Sequence, residues 1–166
     1  MKTLTQATLK ELVHYSPETG VFVWAKSRPA CRKGDACGRI SVQGYHEIGI
    51  KGRLWRANRL AFIYMTGQEP SADLDVDHIN GDKLDNRWCN LRVATRSQNM
   101  ANTAIDPRNT SGAAGVTWDK DRNKWRAQLR VNGRKTNLGR FNTRDEAAAK
   151  VEEAARAQWG DFWRAA

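Results

Sequence analysis

Residues 74–99 have the sequence LDVDHINGDKLDNRWCNLRVATRSQN, and the interpretation of the whole chain starts from them. The stretch opens with a β-like run that reaches His78 and then meets Asn80-Gly81, a dipeptide typical of tight turns. A polar loop follows, and residues 91–94 form a second β-like run. The pattern predicts two strands joined as an irregular hairpin.

A short helix is predicted directly after the second run. Thr95 precedes Gln98 by three positions, the spacing of a capping box, in which each side chain bonds a backbone N–H of the other residue. Asn99 should therefore lie in the first turns of a helix that continues to Asn102. The predicted order is strand, loop, strand and helix.

Asp77 and His78 are the candidate catalytic pair of this stretch. Adjacent side chains of a regular strand point to opposite faces, so the two serve one site only if the strand ends about there. Phosphodiester hydrolysis needs an activated water, charge stabilisation in the transition state and a stabilised leaving oxygen. An imidazole, a carboxylate-held metal ion and nearby arginines supply these. An Asp-His pair also occurs by chance, and a loop asparagine often only satisfies a turn.

The preceding residues, 1–70, are predicted to form a helix and a small antiparallel meander. Thr5 suits the N-cap of a short amphipathic helix, and Gly-containing turns such as Lys51-Gly52 separate the β-rich runs. Those runs are 21–24, 39–42, 45–50 and 54–56. From about Ala57 the apolar spacing becomes helical.

The region 102–115 is rich in Asn, Thr, Ser, Gly and Pro, and its central part, 107–114, is predicted to be a linker. Three short strands and one helix are predicted beyond it, with a capping box at Thr143 opening the helix. In residues 124–132 apolar and polar side chains alternate, so one face of that strand packs and the other faces outward.

The composition favours a partner that is a polyanion. Lys and Arg outnumber Asp and Glu by 28 to 18, which gives the 166-residue chain a formal net charge of +10. Such a surface suits nucleic acid, although a protein that is merely soluble can carry the same charge. The seven tryptophans either fill small cores or stack on bases, and composition does not decide between these uses.

The sequence also indicates where in the cell the protein is located. It has no run of about 18 apolar residues, and its first residues lack the apolar core of a signal peptide, so we expect a cytosolic protein without a membrane partner. The three cysteines show neither CxxC pairs nor zinc-site spacing, so free thiols are expected.

Asp77-His78, Asn90 thirteen positions after Asp77, and Asn99 nine further on together resemble the HNH endonuclease family, in particular its phage and intron-encoded homing branch. The flanking segments 79–82, 85–87, 90–92 and 95–99 are similar to that family as well. The resemblance implies a ββα-metal module in which His78 is the general base on water. It further implies that Asp77 and Asn99 ligate the metal ion and that Asn90 braces the loop. Mg²⁺ suits such an oxygen-only site, and Mn²⁺ is the substitute.

Three arginines of this module, Arg87, Arg92 and Arg96, are candidate phosphate contacts, and a solvated basic face explains them equally well. Many relatives carry histidine in a His-Arg-Leu segment upstream of the motif. This chain has Asn58 there, which leaves open whether that position takes an auxiliary role.

Residues 115–148 resemble the DNA-binding domain of plant Apetala and ethylene-response factors, which also accompanies phage HNH nucleases. The resemblance implies that one face of the sheet contacts duplex DNA. By that resemblance six side chains project from the sheet toward DNA, namely Thr117, Arg126, Gln128, Arg130, Lys135 and Asn137, while Trp118 stacks on the DNA or contacts its backbone. A solvated polar face is the alternative.

The predicted fold is α+β in four parts: a leader (1–70), an HNH nuclease module (71–106), a linker (107–114) and a three-stranded antiparallel sheet with one packed helix (115–166). We expect a magnesium-dependent endonuclease that acts as a monomer on double-stranded DNA in the cytoplasm of an infected bacterial host. Its products would carry 5′-phosphate and 3′-hydroxyl ends. The rival is a sequence-specific DNA-binding regulator with a decayed nuclease site, against which the intact motif residues argue.

Overall fold

Residues 4–164 are described by a computed structural model, in which the chain forms two units, one ending at Ala94 and one beginning at Thr95. Each unit has its own apolar core. Helices and small antiparallel sheets occur in both, so the chain has the mixed helix and strand content that its sequence predicts.

The first unit consists of two helices, seven short strands and a 3₁₀ turn at Trp88–Asn90. In chain order they are α1 (Gln6–Leu12), β1 (Val13–Tyr15), β2 (Phe22–Trp24), β3 (Arg39–Ile40), β4 (His46–Ile50), β5 (Arg53–Arg56), α2 (Ala57–Thr66), β6 (Leu74–His78) and β7 (Leu91–Thr95). β1 pairs with β2, the strands β3, β4 and β5 form an antiparallel sheet in that order, and β6 pairs with β7.

Local sequence signals set several of these boundaries. The hydroxyl oxygen of Thr5 accepts a bond from the Thr8 N–H at 3.2 Å, which caps α1 as predicted. Between β4 and β5, Lys51 and Gly52 both have positive φ, 49° and 77°, as a two-residue hairpin turn of this hand requires. Gly67, with a φ of 78°, ends α2.

One core holds the first unit together. Leu9, Phe22, Ile48 and Leu60 are fully buried, and they come from α1, β2, β4 and α2. Val76 of β6 packs in the same cluster. The leader and the strands of the nuclease module, predicted as separate segments, therefore share one core.

The turn after β1 lies against the loop between β6 and β7. A Cβ at Gly20 would stand 2.5 Å from the carbonyl carbon of Asn86 and 2.6 Å from the nitrogen of Arg87, so only glycine fits. The Trp88 N–H also donates to the Pro17 carbonyl at 2.9 Å. The meander thereby fixes the backbone of the loop that follows His78.

The second unit is a three-stranded sheet covered by a helix. Its elements are α3 (Arg96–Ala101), β8 (Val116–Asp119), β9 (Lys124–Val131), β10 (Arg134–Phe141), α4 (Arg144–Trp159) and a 3₁₀ turn at Gly160–Phe162. The sheet is antiparallel, with β9 between β8 and β10. Ala127 and Leu129 of β9 are buried, and α4 contributes Ala147, Val151, Ala155 and Trp159 to the same core.

Both predicted capping boxes are present, at Thr95 for α3 and at Thr143 for α4. The indole N–H of Trp159 donates to the Ser97 hydroxyl at 3.1 Å and so connects the two helices. α3 therefore belongs to the second unit, although its cap follows directly on β7.

The segment predicted to be a linker is packed. Ala113, within it, is buried in the core of the second unit. The Ser111 hydroxyl donates to the Ala113 carbonyl at 3.0 Å, and the Asn109 amide donates to the same carbonyl at 2.9 Å. Composition indicates a linker at 107–114 because small alanines among turn residues show no apolar periodicity. The boundary between the two units instead lies upstream, between Ala94 and Thr95.

The three cysteines, Cys31, Cys37 and Cys89, are free thiols, as the sequence predicts. Within residues 4–164, every helix is too short or too polar to cross a membrane.

Candidate active site

Asp77 and His78 are the last two residues of β6, and both are buried, with 6% and 4% of their surface exposed. The strand ends there because the chain turns: the Gly81 N–H donates to the His78 carbonyl at 2.8 Å, and Gly81 has a φ of 73°. Asp77 and His78 can serve one site only if the strand ends close to them, and β6 does end at His78.

Asn90 closes the loop that follows His78. Its side-chain oxygen accepts from the Asn80 N–H at 3.0 Å, and its amide group donates to the Asp85 carbonyl at 2.8 Å. Its backbone carbonyl accepts from the Ile79 N–H at 2.9 Å. One buried amide thus fixes both ends of the loop.

We expect Asn90→Ala to lower the free energy of unfolding by about 1 kcal/mol, because the part-buried Asn80 N–H and Asp85 carbonyl lose their side-chain partner. Asn90→Asp keeps the accepting oxygen and loses the donor, so it should fall between alanine and the native residue. Urea denaturation of the three proteins measures the effect. An alanine variant as stable as the native protein would show that this amide does not hold the loop.

His78 is oriented by Asn86, which is itself 2% exposed. The Asn86 Nδ2 donates to the Leu84 carbonyl at 3.1 Å, so Oδ1 is the atom that faces the imidazole, 3.3 Å from Nε2. An amide oxygen only accepts, so Nε2 carries the proton of the neutral ring and Nδ1 is the basic nitrogen. The Tyr15 hydroxyl donates to the Asn86 carbonyl at 2.7 Å and anchors this residue to the meander.

Burial keeps His78 in the state that a general base needs. It lowers the pKa of His78 below its ordinary value, and the bond to Asn86 and the charge of Asp77 oppose this only in part. The imidazole is therefore neutral near pH 7 and able to accept a proton. Burial also raises the pKa of Tyr15, so that its hydroxyl stays a donor to Asn86.

Replacing Asn86 tests this orientation. Nitrogen-15 NMR of the native protein should show the Nε2–H tautomer of His78, and Asn86→Ala should show a mixture of both tautomers with cleavage slowed on the order of tenfold, the cost of one hydrogen bond. Asn86→Asp keeps an accepting oxygen and should restore the Nε2–H form. An unchanged tautomer ratio in Asn86→Ala contradicts the assignment.

Two of the three arginines predicted as phosphate contacts are bonded to carboxylates. Arg92 Nε donates to Asp77 Oδ2 at 3.0 Å, with 16% of the arginine side chain exposed. Arg87 donates to both oxygens of Asp85 at 2.7 and 2.6 Å, and these bonds lower the pKa of Asp85 to about 2. Arg96 is exposed and belongs to the second unit. Arg92 thus orients Asp77, and Arg87 stiffens the loop.

The predicted metal ligands, Asp77 and Asn99, offer oxygen atoms, which suit a hard cation. Among residues 4–164, no three or more His, Cys, Asp and Glu side chains are grouped so that they could hold a metal ion. An ion on the Asp77 carboxylate would therefore take few ligands from these side chains and keep several waters, as Mg²⁺ does. Asn99, the other predicted ligand, is partly buried on α3 in the second unit. An amide oxygen fits the same hard-cation chemistry.

The second unit carries a polar sheet face with six of the seven predicted DNA contacts. Directly opposite residues of antiparallel strands project to the same side, and so do alternate residues of one strand. The opposite pairs are Thr117 with Arg126, Gln128 with Asn137, and Arg130 with Lys135. These six residues are called the polar sheet face below.

Trp118 does not lie on the polar sheet face. It follows Thr117 directly on β8, and alternation turns it to the other side. There it stands opposite Trp125, with ring centroids 5.1 Å apart, and 43% of it is exposed. The resemblance gives Trp118 a part separate from the six polar residues, stacking or a contact to the DNA backbone, and that part stays a prediction.

Three residues that support the site, Asn86, Tyr15 and Gly20, were not predicted from the sequence. Asn86 had a signal, because it lies in the segment 85–87 that resembles the family. Tyr15 and Gly20 had none, because nothing near them in sequence shows that they meet a loop about seventy residues away.

Comparison with known proteins identifies the family. A family model for HNH endonuclease matches residues 56–101. Protein 3.8 of Escherichia phage T7 is 35% identical over 91 residues, which are 54% of this chain and 73% of that protein. This chain belongs to the HNH endonuclease family and is a nuclease of that class.

Two further relatives are matched over about half their own length. The uncharacterized HNH endonuclease L560 of Acanthamoeba polyphaga mimivirus is 33% identical over 61% of this chain and 52% of that protein. The HNH homing endonuclease I-HmuI, solved in a study of its DNA binding and cleavage, is 30% identical over 55% of this chain and 51% of that chain, with a TM-score of 0.41. HNH nucleases in general use divalent metal ions. The family model ends at residue 101, so the likeness of residues 115–148 to Apetala-type domains stays a prediction.

Proposed function

We propose that this nuclease cuts double-stranded DNA in a reaction that needs a divalent metal ion, preferably Mg²⁺, and that it leaves 5′-phosphate and 3′-hydroxyl ends. The observation that carries the proposal is the buried Asp77-His78 pair at the end of β6, with a neutral imidazole held by Asn86. Homing is the proposed biological role, and the likeness to a phage protein supports a phage context for it.

Each residue has a defined part in the proposed reaction. Nδ1 of His78 takes the proton of the attacking water. Asp77 and Asn99 hold the ion through oxygen atoms, and Asn99 is assigned from the sequence motif. The bound ion supplies charge stabilisation for the transition state and the leaving oxygen. Arg92 orients Asp77 through its Nε bond, and Asn90 keeps the loop in place.

Ion replacement with end analysis tests the proposal. The protein is stripped with a chelator and assayed on duplex DNA after addition of Mg²⁺ or Mn²⁺, and DNA ligase is then applied to the products. We expect no cleavage in chelator, recovery with either ion, and nicks that ligase reseals because they carry 5′-phosphate and 3′-hydroxyl. Cleavage that persists in chelator, or ends that ligase cannot join, contradicts it. A regulator with a decayed site would bind the duplex and leave it intact under every condition.

We further propose that the polar sheet face anchors the protein on duplex DNA. Arg130 and Lys135 stand directly opposite each other and are exposed, and within residues 4–164 neither has a carboxylate partner within 4 Å. Opposed like charges destabilise a sheet, and phosphate relieves that repulsion. Arginine and glutamine, as in Arg126 and Gln128, are side chains that bond guanine and adenine edges.

The triple variant Arg126→Ala, Gln128→Ala, Arg130→Ala should bind DNA at least tenfold more weakly, since each lost base contact is worth about 1–3 kcal/mol. Its turnover at saturating DNA should stay within a few-fold of the native value. The control is Lys150→Ala with Arg156→Ala, which removes the same number of positive charges from α4. Binding isotherms and saturating rates are measured for all three proteins. If the control binds DNA as weakly as the triple variant, the loss of affinity is caused by net charge alone, and the polar sheet face is not a DNA-binding surface.

A further inference from the structure

Tyr45 holds two cations at its ring. The Arg56 guanidinium carbon lies 4.0 Å from the ring centroid, and the Lys83 ammonium nitrogen lies 4.7 Å from it. Arg56 is the last residue of β5, Tyr45 directly precedes β4, and Lys83 comes from the loop between β6 and β7. Three segments of the first unit thus bring two positive charges to one aromatic ring.

In the part of the chain that the structure describes, no ion pair within 4 Å includes Arg56 or Lys83. Glu47 stands opposite Arg56 in the sheet register, yet Arg56 packs on Tyr45. Lys83 is steadied by a bond from its ammonium group to the Gln43 carbonyl at 3.0 Å. The ring's negative face attracts both cations and keeps them together despite their mutual repulsion.

The same ring adjoins the catalytic histidine. The centroids of Tyr45 and His78 are 6.3 Å apart, with the ring planes tilted by 40°. Phosphates of one DNA strand recur about every 3.4 Å along the helix axis, so the neighbours of a phosphate attacked at His78 lie at a distance comparable to that between His78 and Tyr45. Arg87 and Arg92, the arginines that the sequence suggests for this purpose in the same unit, are already bonded to carboxylates.

We propose that Tyr45, Arg56 and Lys83 form a clamp for one backbone phosphate of the strand being cut, next to the phosphate that is attacked. The ligand is a phosphodiester monoanion of nucleic acid, bound by charge and not by base identity. The clamp rests on the proposed nuclease function, since it assigns a substrate contact of the same site. It gives Arg56 and Lys83 a role in holding the strand, and it leaves the chemistry to His78 and Asp77.

The test uses a double variant, called the clamp variant, that carries both Arg56→Gln and Lys83→Gln. It is compared with a matched control variant. Lys10→Gln with Arg53→Gln also removes one lysine and one arginine that lie over aromatic rings of the first unit, Tyr64 and Trp55. Binding of a labelled duplex is measured in chelator at several salt concentrations, and cleavage is measured with Mg²⁺. The clamp variant should raise KM about tenfold, keep kcat within a few-fold, and reduce the salt slope of binding by about one, the value for one phosphate contact. Thermal melts confirm that the variants fold.

A single neutral methylphosphonate next to the cleaved bond sharpens the assay. The methylphosphonate should weaken binding by the native protein and by the control. It should have little further effect on the clamp variant, because that variant has already lost its contact with this phosphate. Tyr45→Phe should behave as native, whereas Tyr45→Leu should resemble the clamp variant. Equal KM and salt slope in the clamp and control variants overturns the clamp. A native protein that binds but never cleaves overturns the nuclease proposal separately, because the salt slopes are measured without metal.

Discussion

His78→Ala is expected to slow cleavage by on the order of a hundred- to ten-thousandfold, the range that a positioned general base supplies. DNA affinity should remain close to the native value, because a base acts on the transition state and adds little to ground-state binding. The structural reason is that His78 is 4% exposed, neutral, and oriented by Asn86, so another side chain cannot readily take its place.

The measurement pairs single-turnover rates with binding isotherms on one duplex. His14→Ala is the matched control, because His14 is an exposed histidine of β1. His78→Gln is measured as well, since it retains a hydrogen-bonding side chain and guards against a loss caused by misfolding. Rates within a few-fold of native in both His78 variants would remove this residue from the chemistry.

Asp77→Asn should also be inactive, with a loss on the order of a hundred- to a thousandfold, as for other groups that stabilise developing charge. The substitution keeps the shape and removes the negative charge that a divalent ion requires. It also leaves Arg92, with 16% of its side chain exposed, without its anionic partner, so some loss of stability is expected.

Electron paramagnetic resonance of bound Mn²⁺ measures whether Asp77→Asn loses the ion, independently of cleavage. The native protein and the control Asp73→Asn, a change at an exposed position before β6, should bind the ion alike. Asp77→Asn should bind it much more weakly while its circular dichroism spectrum remains native. Unchanged ion binding in a folded Asp77→Asn protein contradicts the ligand assignment.

Features that depend on neighbouring residues were predictable from the sequence. Thr5, Thr95 and Thr143 cap helices because a cap needs only residues within one turn. Lys51-Gly52 forms the hairpin turn for the same reason. The alternation in residues 124–132 correctly separated a buried from an exposed side of β9.

Features that depend on distant contacts were not predictable. Tyr15 and Asn86 meet although 71 positions separate them, and no local pattern marks either as a partner. The pairing of Arg92 with Asp77 links two strands across a loop, so an arginine that the sequence offers as a candidate phosphate contact is bonded to a carboxylate.

The unit boundary also depends on packing. Composition shows turn-forming residues after Ala101 but does not show that Ala101 and Ala113 enter the second core. Conversely, no local pattern in the leader shows that its apolar residues, which are spread over two helices and five short strands, pack with those of β6. Leu9 and Val76 belong to one cluster, so the leader is part of the framework that supports His78.

Supercoiled plasmid incubated with the native protein tests directly whether the chain cuts DNA with a metal ion and His78. We expect Mg²⁺ to convert the plasmid to nicked or linear DNA, EDTA to prevent this cleavage, and excess Mg²⁺ to restore it. His78→Ala from a parallel preparation should leave the plasmid supercoiled under every condition. Plasmid that stays supercoiled with the native protein and Mg²⁺, or that is cut equally well by His78→Ala, would contradict the claim.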